Sequence, residues 1–123
     1  MRLPIYLIDA FTDTVFGGNP AAVVPLTTWL SDEHMQKIAQ ENNQAETAFF
    51  VANPDGTQHI RWFTPLVEVN LCGHATLAAA HVLFNTNAIT GNEIIFNSRS
   101  GKLVAKKNQH GLQLDFPLDY FLE

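Results

Sequence analysis

The chain has 123 residues, of which 46% are hydrophobic and 15% charged, and a formal net charge of −5, so it holds one domain with one real core. With no basic cluster beyond Lys106-Lys107 it offers nothing to neutralise phosphates, which argues against a nucleic-acid partner; a single Cys excludes an intramolecular disulfide and fits a reducing compartment. No apolar stretch approaches the ~20 residues of a membrane helix and no signal-peptide pattern opens the chain, so the expectation is a cytoplasmic protein that engages neither nucleic acid nor membrane.

Residues 4–11 are rich in β-formers and predict a buried strand. Gly17, Gly18, Asn19 and Pro20 then predict a tight turn, and residues 22–26 a second strand. Ser31 reads as a helix N-cap, with Asp32 and Glu33 in the first turn and Leu30 and Met35 as a hydrophobic staple. Met35, Ile38 and Ala39 supply a buried stripe, giving a packing helix over about residues 32–42 with His34 in solvent. A polar loop, Asn42-Asn43-Gln44-Ala45, runs into the apolar strand Glu46-Thr47-Ala48-Phe49-Phe50-Val51. Asn53-Pro54-Asp55-Gly56 turns the chain, residues 58–64 return as a strand, and residues 66–71 form a short extended approach to the next helix.

That helix is the element around which the chain is organised. From about residue 73 to 85 the sequence holds good helix formers, no Pro and no charge, so it predicts a helix buried on most sides with a sheet wrapped around it. Beyond it, residues 93–98, 102–107 and 112–116, separated by Ser100-Gly101 and by the turn over 108–111, predict a three-stranded antiparallel meander. The tail over 118–123 carries no assignable pattern.

Two places carry chemistry. Glu46 stands where a polar loop meets an apolar strand; beside Phe49, Phe50 and Val51 it is either a partly desolvated proton shuttle or a solvated carboxylate at a strand edge. The central helix opens on Cys72-Gly73-His74, where first-turn N–H groups lack intrahelical partners and the dipole favours an anion. Cys72 is there either a thiolate or a small buried hydrophobe. His74, one residue into the helix, suits contact with a ligand, whereas His81, deep in the apolar run, reads as a satisfied core histidine. The His and acidic residues show no metal-ligand spacing, and no nucleotide or phosphate fingerprint is present, so no metal or cofactor is expected.

Five motifs in register, Ile8-Asp9-Ala10-Phe11, Gly18-Asn19-Pro20-Ala21-Ala22-Val23, Asn42-Asn43-Gln44-Ala45-Glu46-Thr47-Ala48-Phe49, Arg61-Trp62-Phe63-Thr64-Pro65 and Leu71-Cys72-Gly73-His74-Ala75-Thr76-Leu77, resemble the phenazine-biosynthesis PhzF-like family, a branch of the diaminopimelate-epimerase fold. The resemblance implies an α+β lobe with a strongly bent, mixed and mostly antiparallel sheet around one central helix. It implies a cofactor-independent isomerase that moves a proton on a small carboxylate-bearing substrate, with Glu46 as the acid/base and Asn19, Gly73 and His74 binding the substrate. Cys72 falls where epimerase relatives keep one of two catalytic cysteines; alone it cannot run a two-base mechanism, and it is expected to line the pocket. Family chains are roughly twice as long, with the site between two lobes. The expectation is therefore a single lobe over 1–123, closed by a complementary lobe or a homodimer. The alternative is a non-catalytic lobe that binds a small acid or another chain without turnover.

Overall fold

The computed structural model describes residues 3–8, 20–86, 88–109 and 111–115. In chain order the elements are β1 (Tyr6–Ile8), β2 (Ala21–Leu26), α1 (Asp32–Asn42), β3 (Glu46–Ala52), β4 (Gln58–Phe63), β5 (Glu68–Val69), α2 (Gly73–Asn85), β6 (Glu93–Ser98), β7 (Gly101–Asn108) and β8 (Gly111–Asp115). The strands form one mixed sheet in the order β1-β2-β3-β4-β6-β7-β8, with β5 also paired to β4. The β2–β3 and β4–β6 pairs are parallel; the others are antiparallel.

Side chains alternate between two cores, as the period of two along a strand requires. Ala21 and Val23, Ala48 and Phe50, Ile60 and Trp62, Ile94 and Phe96, and Leu103 and Ala105 all face α2. Val24 and Leu26, Phe49, and Phe63 face the other way, onto Met35 and Ala39 of α1. Helix α2 touches β2 and β3 and also β8, near the opposite end of the strand order, so the sheet curls around it as a half-barrel. Four alanines of α2, Ala75, Ala78, Ala79 and Ala80, are fully buried. Their small side chains let the helix axis lie close to the curled sheet, and their propensity favours helix.

Local signals explain the punctuation. Ser31 caps α1, its hydroxyl accepting from the His34 N–H at 3.1 Å, while Leu30 and Met35 share the core beneath. Asn43 ends α1 in the left-handed region at φ 53°. Gly101 and Gly111, at φ 111° and 122°, each open a returning strand of the predicted meander.

The first strand departs from expectation. It is not buried: β1 has three residues, and Ile5 and Leu7 are 44% and 61% exposed. The reason is its place at the end of the sheet order, where β2 supports it on one side only and only Ile8 reaches the α2 core. The turn around Asn19, and the predicted strand beyond Ile8, lie outside the described residues.

Candidate functional site

Glu46 is the first residue of β3 and pairs with Ala21 of β2. Strand alternation decides where it points. It shares parity with Ala48 and Phe50, both packed in the α2 core, so its carboxylate is directed to the concave side of the sheet, toward α2. It is half-buried there.

The N-terminus of α2 meets it. Cys72 is the N-cap residue, in extended conformation, and its side chain makes no capping hydrogen bond. The thiol is pushed up to about 11, first by burial and then by the charge of Glu46, against the pull of the Ala75 and His74 amides. Three conclusions follow. The charge of Glu46 is felt at the helix start. Cys72 is a neutral thiol near pH 7, which argues against the thiolate alternative and leaves a small, partly buried apolar group. The Ala75 and His74 amides favour negative charge at this rim, as their pull on the Cys72 sulfur shows. His74 is half-buried one position inside the helix, beside Gly73. The structure thus brings Glu46, Cys72, Gly73 and His74 to one rim; Asn19 lies outside the described residues.

The helix start is anchored from below by groups that the sequence reading did not single out. The Trp62 indole N–H donates to Thr76 Oγ1 at 2.9 Å, and the Thr76 hydroxyl donates to the Cys72 carbonyl at 2.8 Å. Trp62 and Thr76 are both essentially inaccessible to solvent, so this relay is a dry, satisfied polar link between the sheet and the helix tip. Its sequence signal was a Thr at an otherwise apolar helix position and a Trp on the strand that follows that of Glu46 in the chain, which becomes informative only once the register is known.

On the opposite face of the sheet lies a cleft of about 420 Å³ lined by Asp32, His59, Arg61, Ser98 and Arg99. His59 and Arg61 alternate with Ile60 and Trp62, so they point away from α2 and from Glu46. This cleft is therefore separate from the rim where Glu46 and the start of α2 meet. Among the described residues, no group of three or more His, Cys, Asp or Glu is placed to hold a metal, and no helix is long and apolar enough to cross a membrane.

Comparison with known proteins agrees with this architecture. An uncharacterized isomerase of Pseudomonas aeruginosa is 52% identical over 117 residues, covering 95% of this chain and 45% of its own length. The crystal structure of a phenazine biosynthesis protein of the PhzF family from Enterococcus faecalis superposes with a TM-score of 0.82 at 50% identity, over 89% of this chain and 42% of that one. A predicted epimerase from Pseudomonas aeruginosa superposes with a TM-score of 0.73 at 25% identity, over 91% of this chain and 41% of that one. The chain thus spans less than half the length of the relatives it matches. The family model for phenazine biosynthesis-like proteins (PhzC-PhzF) matches residues 8–118, nearly the whole of the sequence. The chain belongs to the PhzC-PhzF phenazine biosynthesis-like family, whose curled mixed sheet around a central helix it shares.

Proposed function

We propose that this chain is one lobe of a cofactor-independent isomerase in which Glu46 moves a proton on a small carboxylate-bearing substrate. The observation that carries the reading is the meeting of Glu46 with the start of α2, registered by the Cys72 thiol, whose ionisation the Glu46 charge opposes. The division of labour follows from the chemistry. The substrate carboxylate sits at the first-turn amides around Gly73 and His74, where the helix dipole favours negative charge. That places the adjacent carbon before Glu46, which takes its proton and returns it to another position. Cys72, neutral and partly buried, lines the wall. The isomerase and epimerase descriptions of the relatives support this class of reaction. The proposal includes a facing lobe, a complementary segment or a second copy, that closes the rim over the substrate.

The test is solvent proton exchange. The protein is incubated in D2O with a panel of small 2-amino, 2-hydroxy and unsaturated carboxylic acids, and deuterium incorporation is followed by NMR. Incorporation into at least one acid, lost in Glu46→Gln, is the expected result. Exchange that survives Glu46→Gln unchanged refutes the assignment of Glu46. No exchange with any acid, together with saturable binding, favours a lobe that binds without turnover.

A further inference from the structure

The charged cluster on the far side of the sheet has a bearing on the rim. We infer that Arg61 and Glu68 are positioning residues, whose paired hydrogen bonds set where the N-terminus of α2 stands relative to Glu46. The consequence for catalysis rests on the reading given above; the geometric claim and its test do not.

Strand β4 is the common reference. On one edge it fixes β3, with Thr47 opposite Phe63 and Ala48 opposite Trp62, and so places Glu46. On its other edge it pairs with β5, which leads into the helix. Its adjacent residues Arg61 and Trp62 point to opposite faces, and each takes hold of the helix approach. Trp62 reaches the tip through Thr76 and the Cys72 carbonyl. Arg61 forks onto Glu68, with Nε to Oε2 and Nη2 to Oε1 both at 2.8 Å.

Two further ties come from the turn after β6. Arg99 Nη2 donates to Glu68 Oε1 at 3.0 Å, and the Ser100 hydroxyl donates to the Asn70 carbonyl at 2.6 Å. Apolar burial does only part of this work: Val69 and Leu71 pack against the α2 core, but the residues before them do not. Leu66 and Val67 are 81% and 56% exposed, and β5 has only two residues. The Arg61 and Glu68 side chains, by contrast, are 17% and 16% exposed, which spares the fork most of its competition with water. Arg61 is itself held by Asp32 at 2.9 Å and lies over the Trp29 and Phe63 rings. A lysine could keep the charge but not the fork.

The test reads the helix tip through the Cys72 thiol. Iodoacetamide alkylation at pH 8 is measured for the whole chain, below its unfolding range, with and without Glu46→Gln, in three backgrounds: wild type, Arg61→Lys and Glu68→Gln. In the wild-type background Glu46→Gln is expected to speed alkylation about threefold or more, since a nearby negative charge suppresses the thiolate. In the Arg61→Lys and Glu68→Gln backgrounds that acceleration shrinks to near onefold, because the tip has moved away from Glu46. Ser100→Ala, which removes a tie without touching charge, gives an intermediate value and guards against failure of the charge variants to fold. If the variants lower the melting temperature yet leave the Glu46 effect on Cys72 intact, the pair is only structural and the inference is overturned. Deuterium exchange decides the fate of Glu46 independently of this result.

Discussion

Replacing Thr76 by Val exchanges a buried hydroxyl for a methyl of nearly the same shape on a helix that both residues tolerate about equally. The Cys72 carbonyl keeps its bond from the Thr76 N–H at 3.1 Å, so the loss falls on Trp62, whose indole N–H had its acceptor at 2.9 Å. A buried donor left without an acceptor costs about 1–3 kcal/mol. The added apolar group returns about 0.8 kcal/mol. The net loss is about 0.2–2.2 kcal/mol, which for a domain of this size lowers the melting temperature by up to about 10 °C. The partner variant Trp62→Phe removes the donor itself. Thr76→Val made on top of Trp62→Phe therefore costs nothing further, and the coupling between the two sites equals the net loss measured in the wild-type background. Thermal and urea unfolding of the four proteins measures it. If Thr76→Val is neutral in the wild-type background, or costs the same in both, the relay does not bear on the helix and the reasoning fails.

Other expectations follow from the same geometry. With its thiol pushed up to about 11 from an ordinary value of 9.0, Cys72 is alkylated at pH 8 on the order of 100-fold more slowly than an unhindered peptide thiol, and a rate equal to that thiol's contradicts its burial beside Glu46. Ala79, fully buried against the sheet, has no room for a larger side chain, so Ala79→Leu destabilises by about 1–3 kcal/mol in urea unfolding. Glu68 is held below its ordinary 4.5 mainly by the hydrogen bonds from Arg61. Its pairing therefore stabilises the fold above pH 4.5 and is lost as pH falls through the lower folded value. The stability difference between wild type and Glu68→Gln, followed by circular dichroism, accordingly narrows as pH falls below 4.5; a difference that is constant down to pH 2 excludes the linkage.

Much of the architecture is legible in the residues. The run from Gly73 to Asn85 lacks charge and Pro, and the structure makes it α2 over those same residues, enclosed by the sheet. Ser31, Asn53-Pro54-Asp55-Gly56 and Ser100-Gly101 signal a cap and two turns through local backbone chemistry, and each appears where the chain needs it. What was hidden is non-local. The burial of a strand depends on how many neighbours it has, so the β-rich first segment looked like core but became an exposed edge. The direction of Glu46 depends on the parity of β3 relative to α2, which only the register supplies. The choice between thiolate and neutral thiol at Cys72 pits helix amides against burial and a nearby carboxylate, and the winner depends on distances that no spacing encodes. The Arg61–Glu68 fork joins residues seven apart whose meeting requires β5 to fold back on β4.

The central claim is that Glu46 and the amides at the start of α2 face one small carboxylate. A titration of 15N-labelled protein with 2-hydroxypropionate, run in parallel on wild type and Glu46→Gln, tests it most directly. The account predicts that the Gly73 and His74 amide signals shift saturably, and that Glu46→Gln tightens the binding several-fold by removing a neighbouring like charge. Saturable shifts centred elsewhere, or an affinity that Glu46→Gln leaves unchanged, would contradict it.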